Sequence, residues 1–208
     1  MLKEFEKRIL SSLILIPIAI FFIIKGTFFF NFFLIICLLI TLYEWQMMSK
    51  KKPYNFFGHI FLLLSFYSVY LTRGDNEKSL YIFLAVLLVC ISTDIGGYIF
   101  GKILKGPKLT KISPKKTYSG VFGGYLLSII VANFFINYVN LNFHIKEFVI
   151  VIVISTISQI GDITVSYFKR LSKLKNTGKL IPGHGGILDR IDGMIFVFPF
   201  FYIINLIN

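Results

Sequence analysis

Long uncharged apolar stretches alternate with short polar segments along the chain, and this alternation predicts its secondary structure. Such runs are typical of helices that cross a bilayer, for which a straight crossing takes about 20 apolar residues. Several of the runs are shorter, so we expect local bilayer thinning or snorkelling flanks. Seven helices are predicted, over Ile9–Ile24, Thr27–Tyr43, Tyr54–Thr72, Leu80–Phe100, Gly120–Val139, Phe148–Phe168 and Gly193–Ile207. The expected fold is an all-α polytopic integral membrane protein with about seven transmembrane helices.

The composition supports a lipid environment. Hydrophobic residues make up 56% and charged residues 15% of the 208-residue chain, and the mean hydropathy is +0.77. Soluble domains average about 45–50% apolar and about 25% charged residues. A chain of this length is expected to form a single membrane domain, residues 1–208. Residues 1–80 show no polar cluster inside the predicted spans and are interpreted as hydrophobic scaffold helices, and residues 81–208 as catalytic helices and cytoplasmic loops.

The formal net charge of +12 comes mainly from loops on one side of the predicted spans. If the N-terminus is cytoplasmic, 18 of the 22 lysines and arginines lie in inside segments and 4 lie outside. Because cytoplasmic loops are enriched in Lys and Arg, this split predicts an inside N-terminus and an outside C-terminus, and argues against nucleic acid as the partner. We expect a multi-pass protein of the cell (inner) membrane, with its active site and its two long polar loops, about 101–119 and 168–192, facing the cytoplasm.

The sixth predicted span carries a polar stripe whose members recur at i, i+3 and i+4 spacings and so share one helix face. The stripe consists of Ser155, Ser158, Gln159, Asp162, Ser166, Lys169 and Arg170. A carboxylate at lipid depth is costly and by default marks a function or a partner. The structural alternative is a hydrogen-bonded seam between helices, in which a lysine from another helix neutralises Asp162.

A glycine-rich segment, Lys179–Asp192, follows this span. Its glycines permit close backbone approaches, and their N–H groups can form an anion-binding nest. Asp189 and Asp192 lie three residues apart, so both carboxylates share a helix face if the last helix begins here. Carboxylates beside glycine amides and many cations suit a magnesium–phosphate site. Capping of a helix N-terminus is the alternative.

The end of the fourth span and the loop after it hold further candidates. Asp94 lies at the cytoplasmic end of the span, and Ser113-Pro114 favours a turn in the loop. Donors for phosphate or for anionic head groups follow at Lys115, Lys116 and Thr117. A basic loop held to anionic lipid is the alternative. His184, between two glycines, can assist proton transfer or bind phosphate, and an exposed loop histidine is the alternative there.

Residues 166–192 resemble the signature of the phosphatidate cytidylyltransferase (CDP-diacylglycerol synthase) family. The match covers 27 positions with one departure, since Asn176 stands where the family has aspartate. The matching residues are Ser166, Phe168-Lys169-Arg170, Lys175, Gly178, Ile181-Pro182, His184-Gly185-Gly186-Ile187 and Asp189-Arg190-Ile191-Asp192. The stretch from Asp94 to Gly120 is also similar to the family's loop, with departures at Ile95 and Ser119.

The resemblance implies an integral membrane enzyme that condenses CTP with phosphatidic acid in the bilayer, giving CDP-diacylglycerol and pyrophosphate for phospholipid biosynthesis. It implies dependence on Mg2+, with Asp162 and Asp189 as metal ligands and Asp192 in support. The catalytic residues it indicates are Asp162, Asp189, Asp192, His184, Lys169 and Arg170. The substrate-binding residues it indicates are Asp94, Ser113, Lys115, Lys116, Thr117, Ser166, Lys175, Gly185, Gly186 and Arg190. Whether the chain forms a homodimer is left open.

Two other functions are kept as alternatives. A CTP-dependent kinase of polyprenols or dolichol resembles the family in fold, but the Ser166–Asp192 pattern suits the cytidylyltransferase better. The alternative from another class is a membrane transporter that uses Asp94 and Asp162 as intramembrane relays. Against it, the polar residues collect at one face of the membrane, whereas transporter sites lie near the midplane.

Overall fold

The computed structural model describes residues 4–139, 141–183 and 185–207. Within these ranges the chain is helical, and β pairing is limited to two isolated bridges, Lys108–Thr117 and Ile181–Gly185. The helices are α1 Glu4–Lys25, α2 Thr27–Ser49, α3 Asn55–Arg73, α4 Glu77–Leu104, α5 Tyr118–Tyr138, α6 Ile145–Leu171, α7 Leu188–Ile191 and α8 Met194–Ile207. Each of the seven predicted apolar segments corresponds to one of these helices, so the all-α prediction is confirmed.

Among the described residues, five helices, α2 to α6, are long and apolar enough to cross a membrane. Their large apolar side chains are exposed in many places, among them Phe32 on α2 and Phe134 on α5, as expected where the surrounding solvent is lipid. Shorter apolar stretches lie in α1, at Leu13–Lys25, and in α8, at Met194–Leu206. The chain is therefore a multi-pass membrane protein, while crossing by α1 and α8 and the orientation of the termini stay predictions.

Several helix boundaries differ from prediction by a few residues, and two of the differences bear on the site. Helix α2 continues six residues past the predicted end at Tyr43, because Glu44 is buried and hydrogen bonded and so does not end the apolar segment. At the other end of the chain, α7 stops at Ile191 and α8 begins at Met194. Asp192 accepts a hydrogen bond from the Gly193 amide at 3.1 Å, and such local bonds compete with helix formation. The last helix therefore does not begin before Asp189, and the condition for both carboxylates to share its face is not met.

The chain divides into two compact units. The first unit comprises residues 1–75 and 168–191. In it, the buried Arg73 closes the end of α1 by donating to the Ile23 carbonyl from Nε at 3.1 Å and from Nη2 at 2.9 Å. Near the other end of α3, the Trp45 ring lies edge-on to Phe168, with centroids 5.3 Å apart. This contact fixes α2 against the start of the 168–191 segment.

The second unit comprises residues 76–167 and 192–208. Helices α4 and α5 meet through glycines, and a Cβ at Gly96 would overlap the carbonyl of Gly123. Small residues of this kind allow close helix packing in membranes. Helix α6 is tied to α4 by a hydrogen bond of 2.9 Å from Thr93 to Ser155. The core of this unit thus holds the polar half of α6 in place.

Candidate active site

Asp162 on α6 is the centre of the polar cluster in the second unit. Its Oδ2 lies 2.6 Å from the Lys116 ammonium, and its Oδ1 accepts a hydrogen bond from Ser166 at 3.3 Å. Lys116 also donates to the Gln159 carbonyl at 3.3 Å. The side chains of Lys116 and Asp162 are 23% and 29% exposed. The pair is thus partly accessible to solutes, as a site that binds substrate must be.

The loop before α5 presents Lys116 to Asp162. Thr117 caps α5 by accepting a hydrogen bond from the Gly120 amide at 3.1 Å, which fixes the residue next to Lys116. The Lys116 backbone accepts from Leu109 at 2.8 Å and donates to Ser113 at 3.0 Å. A lysine partner for Asp162, as in the structural alternative, therefore exists, but it comes from a loop and not from another helix.

The inner part of the α6 stripe is structural. Ser155 and Ser158 are both buried, and Ser155 accepts the hydrogen bond from Thr93. Gln159 donates to the same serine hydroxyl at 3.4 Å. The stripe thus divides between packing residues at its inner end and the Asp162 cluster nearer the end of the helix.

Asp189 is the centre of a second cluster, within the first unit. Its Oδ1 accepts a hydrogen bond of 2.9 Å from the Lys169 ammonium. Its Oδ2 accepts two backbone hydrogen bonds, from Thr177 at 2.8 Å and from Gly186 at 3.0 Å. The side chains of Lys169 and Asp189 are 9% and 6% exposed. Residues of the signature segment, from Lys169 to Gly186, therefore donate hydrogen bonds to one buried carboxylate.

The surroundings of Asp189 favour its ionised form. Burial raises the pKa of this carboxyl, but the hydrogen bond from Lys169, the Gly186 amide, the charge of Lys169 and the Thr177 amide together outweigh burial. The pKa of Asp189 is held below its ordinary value as a result. Asp189 is a carboxylate at neutral pH, as a ligand for a cation or a partner for a lysine must be.

Glu44 on α2 is a polar residue of this cluster that sequence reasoning misses. It is 3% exposed and accepts hydrogen bonds from the Thr177 hydroxyl at 3.0 Å, from the Ile187 amide at 3.0 Å and from the Leu188 amide at 2.8 Å. Residues 1–80 are predicted to be scaffold only, and the predicted second helix stops one residue short of Glu44. A lone carboxylate beside a long uncharged run is the signal that could have found it.

The glycine-rich segment binds carboxylates of the protein itself. The amides of Gly186, Ile187 and Leu188 donate to Asp189 or Glu44, and the Gly185 amide donates to the Ile181 carbonyl at 3.1 Å. These amides therefore shape the segment around internal anions. Substrate contacts by Gly185 and Gly186 stay predictions.

Gly185 needs to be glycine at this place. Its φ is +90°, in the left-handed region that side chains rarely adopt. A Cβ there would also lie 2.6 Å from Asp189 Oδ2 and 3.2 Å from Asn176 Cβ. The backbone therefore approaches the Asp189 carboxylate more closely than any side chain would allow.

The other predicted site residues differ in burial. Asp192 is buried in the turn before α8, and Asp94 is exposed on α4. Ser113 and Thr117 organise the loop that carries Lys116. Exposed cations at the predicted positions are Lys115, Arg170, Lys175 and Arg190. His184 lies outside the described residues, so its predicted role is not placed.

Each cluster offers one carboxylate, and the described residues hold no group of three or more His, Cys, Asp or Glu side chains that could bind a metal ion. Magnesium binds proteins through as few as one or two carboxylates and keeps several waters. Each oxygen of Asp162 has one donor in the described part of the chain. Oδ2 of Asp189 is filled by two amides, which leaves Oδ1, whose donor is Lys169. For both carboxylates, the partner that a cation would replace is thus a lysine on a flexible stem.

Comparison with known proteins agrees with the sequence resemblance. The sequence model described as the cytidylyltransferase family matches residues 57–207. A Rickettsia felis protein named phosphatidate cytidylyltransferase is 36% identical over 219 aligned positions, covering 96% of this chain and 92% of the relative. Proteins of the same name from Staphylococcus epidermidis and Staphylococcus haemolyticus are 41% and 38% identical, over 72% and 79% of this chain. The chain spans 60% of the length of the S. epidermidis relative and 65% of that from S. haemolyticus. By these matches, the chain belongs to the cytidylyltransferase family.

Proposed function

We propose that this chain is a phosphatidate cytidylyltransferase, which joins CTP and phosphatidic acid to form CDP-diacylglycerol and pyrophosphate. The observation that carries the proposal is the folding of the signature segment around Asp189, where Lys169 and two backbone amides converge on one carboxylate. The names of the relatives support the same reaction. A multi-pass membrane protein also suits a substrate that resides in the bilayer.

In the proposed reaction, an oxygen of the lipid phosphate attacks the α-phosphorus of CTP. A new P–O bond forms as the bond to the bridging oxygen breaks, and the electron pair leaves with pyrophosphate. The lipid phosphate is already ionised at neutral pH, so the step needs no strong general base. Catalysis then rests on positioning and on charge stabilisation of the phosphates.

Cations at the predicted site positions are the groups that we assign to the phosphates. The Lys116 ammonium has three N–H donors, and Asp162 and the Gln159 carbonyl take two of them within the described residues. The third can bind a phosphate oxygen. The exposed Arg190 can bind two phosphate oxygens at once through its planar guanidinium. Lys115, Arg170 and Lys175 are assigned to the same task.

Magnesium is part of the proposal, with Asp162 and Asp189 as the residues that would hold it. When bound, it would supply charge neutralisation on the triphosphate, which otherwise repels the incoming lipid phosphate. We further propose seven spans with an inside N-terminus, an outside C-terminus and cytoplasmic catalytic loops in the cell membrane. The excess of lysine and arginine in the inside segments supports this orientation.

The test is conversion of phosphatidic acid by the purified protein in mixed micelles with CTP, with and without magnesium. Undecaprenol and dolichol serve as alternative acceptors in parallel reactions. We expect magnesium-dependent formation of CDP-diacylglycerol and no product from either polyprenol. Phosphorylation of a polyprenol without product from phosphatidic acid would assign the chain to the kinases instead.

A pair of variants tests the role of Asp189. Asp189→Asn is expected to abolish turnover in a protein that still folds in detergent, because the amide lacks the charge that Lys169 and the proposed cation need. Asp75→Asn, at an exposed aspartate of the same unit, is the matched control and should keep wild-type turnover. Near-normal turnover of a folded Asp189→Asn protein would refute the assignment.

A further inference from the structure

Glu44 is buried in the last two turns of α2, yet its three hydrogen bonds within the described part of the chain reach residues 177–188. Both of its carboxylate oxygens are used: Oε1 accepts from Ile187, and Oε2 accepts from Leu188 and from the Thr177 hydroxyl. A buried carboxylate is costly without such partners. The burial of Glu44 in α2 therefore depends on the donors of this segment, and the position of the segment depends on Glu44.

The same segment holds Asp189 in place. Thr177 donates its hydroxyl to Glu44 and its backbone N–H to Asp189. Gly186 donates its N–H to Asp189, and the next two amides along the chain donate to Glu44. The donors of one short segment are thus divided between the two carboxylates, so a shift of the segment away from Glu44 moves the donors of Asp189.

Glu44 leaves no room for a side chain at two glycines of the signature segment. A Cβ at Gly186 would overlap both carboxylate oxygens of Glu44, and a Cβ at Gly178 would lie 2.7 Å from Oε1. Glycine at these places lets the backbone close around the carboxylate. The contact between α2 and the segment therefore combines hydrogen bonds to the Glu44 carboxylate with close packing of the glycine backbone against it.

We propose that Glu44 is a positioning residue, which holds the Thr177–Leu188 segment so that its amides and Lys169 keep Asp189 in its working place. The inference rests on the proposed function, because the reaction is what Asp189 serves. Glu44 itself is too buried to touch substrate and acts through the segment.

The first test measures the segment directly and needs no turnover. Trypsin cleavage after the exposed Lys179 is compared with cleavage after the exposed Lys111, which lies in the other unit. Glu44→Gln places an amide NH2 against backbone N–H donors and is expected to speed cleavage after Lys179 alone. Glu77→Gln, at an exposed glutamate, is the matched control. Unchanged cleavage after Lys179 in Glu44→Gln would overturn the proposal.

The second test asks whether the effect reaches Asp189. In Glu44→Gln we expect the half-saturating magnesium concentration to rise and kcat to fall, by about 10- to 100-fold, as for other residues that orient a metal ligand. A purely structural defect would lower only the amount of active enzyme, so a fall in turnover with an unchanged half-saturating concentration would overturn the proposal. A wild type that does not use CTP would refute the proposed function, and the trypsin comparison would still decide whether Glu44 holds the segment.

Should Glu44→Gln fail to fold, Thr177 supplies the decisive variants. Thr177→Val removes the hydroxyl donor to Glu44 and keeps the backbone N–H that donates to Asp189. We expect cleavage after Lys179 to be faster in Thr177→Val than in the wild type. In Thr177→Ser, which keeps a hydroxyl donor, we expect cleavage at the wild-type rate. Equal cleavage of both variants would overturn the proposal.

Discussion

The two lysine–aspartate pairs have similar geometry but different burial, and this difference predicts different costs when the lysine is removed. The Lys169–Asp189 distance is 2.9 Å with side chains 9% and 6% exposed, and the Lys116–Asp162 distance is 2.6 Å with side chains 23% and 29% exposed. Methionine matches lysine in length but carries no charge. We therefore compare Lys169→Met with Lys116→Met.

The magnitude follows from what each carboxylate keeps. Removing one partner of a buried pair costs about 3–5 kcal/mol because a charge is left without its counterpart. Asp189 retains two amide donors, so the free energy of unfolding should fall by about 3 kcal/mol in Lys169→Met, at the lower end of that range. The Asp162 side chain is 29% exposed, and Lys116→Met should lower the free energy of unfolding by about 0–1 kcal/mol, as for exposed pairs.

Each unit offers its own reporter for the assay. The chain has one tryptophan, Trp45, which is 6% exposed in the first unit, so its fluorescence during unfolding by SDS in mixed micelles reports on Lys169→Met. Cys90 is buried in the second unit. Its rate of maleimide labelling, in a Cys37→Ser background, reports on Lys116→Met. Loss of turnover is expected in both variants.

Two outcomes would refute this reasoning. One is a Lys169→Met protein whose free energy of unfolding stays within about 0.5 kcal/mol of wild type, which is the ordinary range for surface substitutions. The other is a Lys116→Met protein that is destabilised as strongly as Lys169→Met. Either would show that burial does not set the strength of these pairs.

Three further predictions concern packing and the departure from the family pattern. Gly96→Ala should lower the free energy of unfolding by about 1–3 kcal/mol through overpacking, because its Cβ would overlap the Gly123 carbonyl. The measurement is the midpoint of thermal unfolding. Gly97→Ala is the control and should leave the midpoint unchanged, because the nearest atom to its Cβ would be 3.7 Å away. Arg73→Gln should lower the free energy of unfolding by about 2–3 kcal/mol in the same assay, because it removes buried hydrogen bonds from a charged donor. Wild-type stability in Arg73→Lys would contradict this prediction, since lysine lacks the forked donors of arginine. Asn176→Asp should leave turnover close to that of wild type, because asparagine at this exposed position keeps an oxygen acceptor. A large gain in turnover would show that the missing charge limits the enzyme.

Helices were the part of the fold that the sequence could predict. Uncharged runs such as Thr27–Tyr43 must be helical in lipid, because backbone groups there have no water to bind. The ends were harder, since they depend on tertiary contacts. Helix α2 passes through Glu44 because partners 133 and 144 residues away in sequence satisfy its carboxylate. No local pattern contains that information.

The site was predictable in its residue types but not in its pairing. The spacing of the α6 stripe indicated Asp162, and the stated alternative included a lysine partner, but only the folded loop shows that Lys116 is that lysine. Likewise, the glycines near Asp189 predicted a binding site for an anion, and in the structure these glycines lie against two carboxylates of the chain itself, those of Asp189 and Glu44. Such internal pairing depends on three-dimensional closure, which spacing alone does not encode.

The measurement that tests the central claim most directly follows the phosphorus atoms of CTP. Purified protein in micelles with phosphatidic acid and magnesium receives CTP labelled either at the α- or at the γ-phosphate. Cytidylyl transfer predicts that the α-label enters the lipid and the γ-label leaves as pyrophosphate. Appearance of the γ-label in lipid, with the α-label remaining in CDP, would contradict the account and show that the chain transfers the terminal phosphate instead.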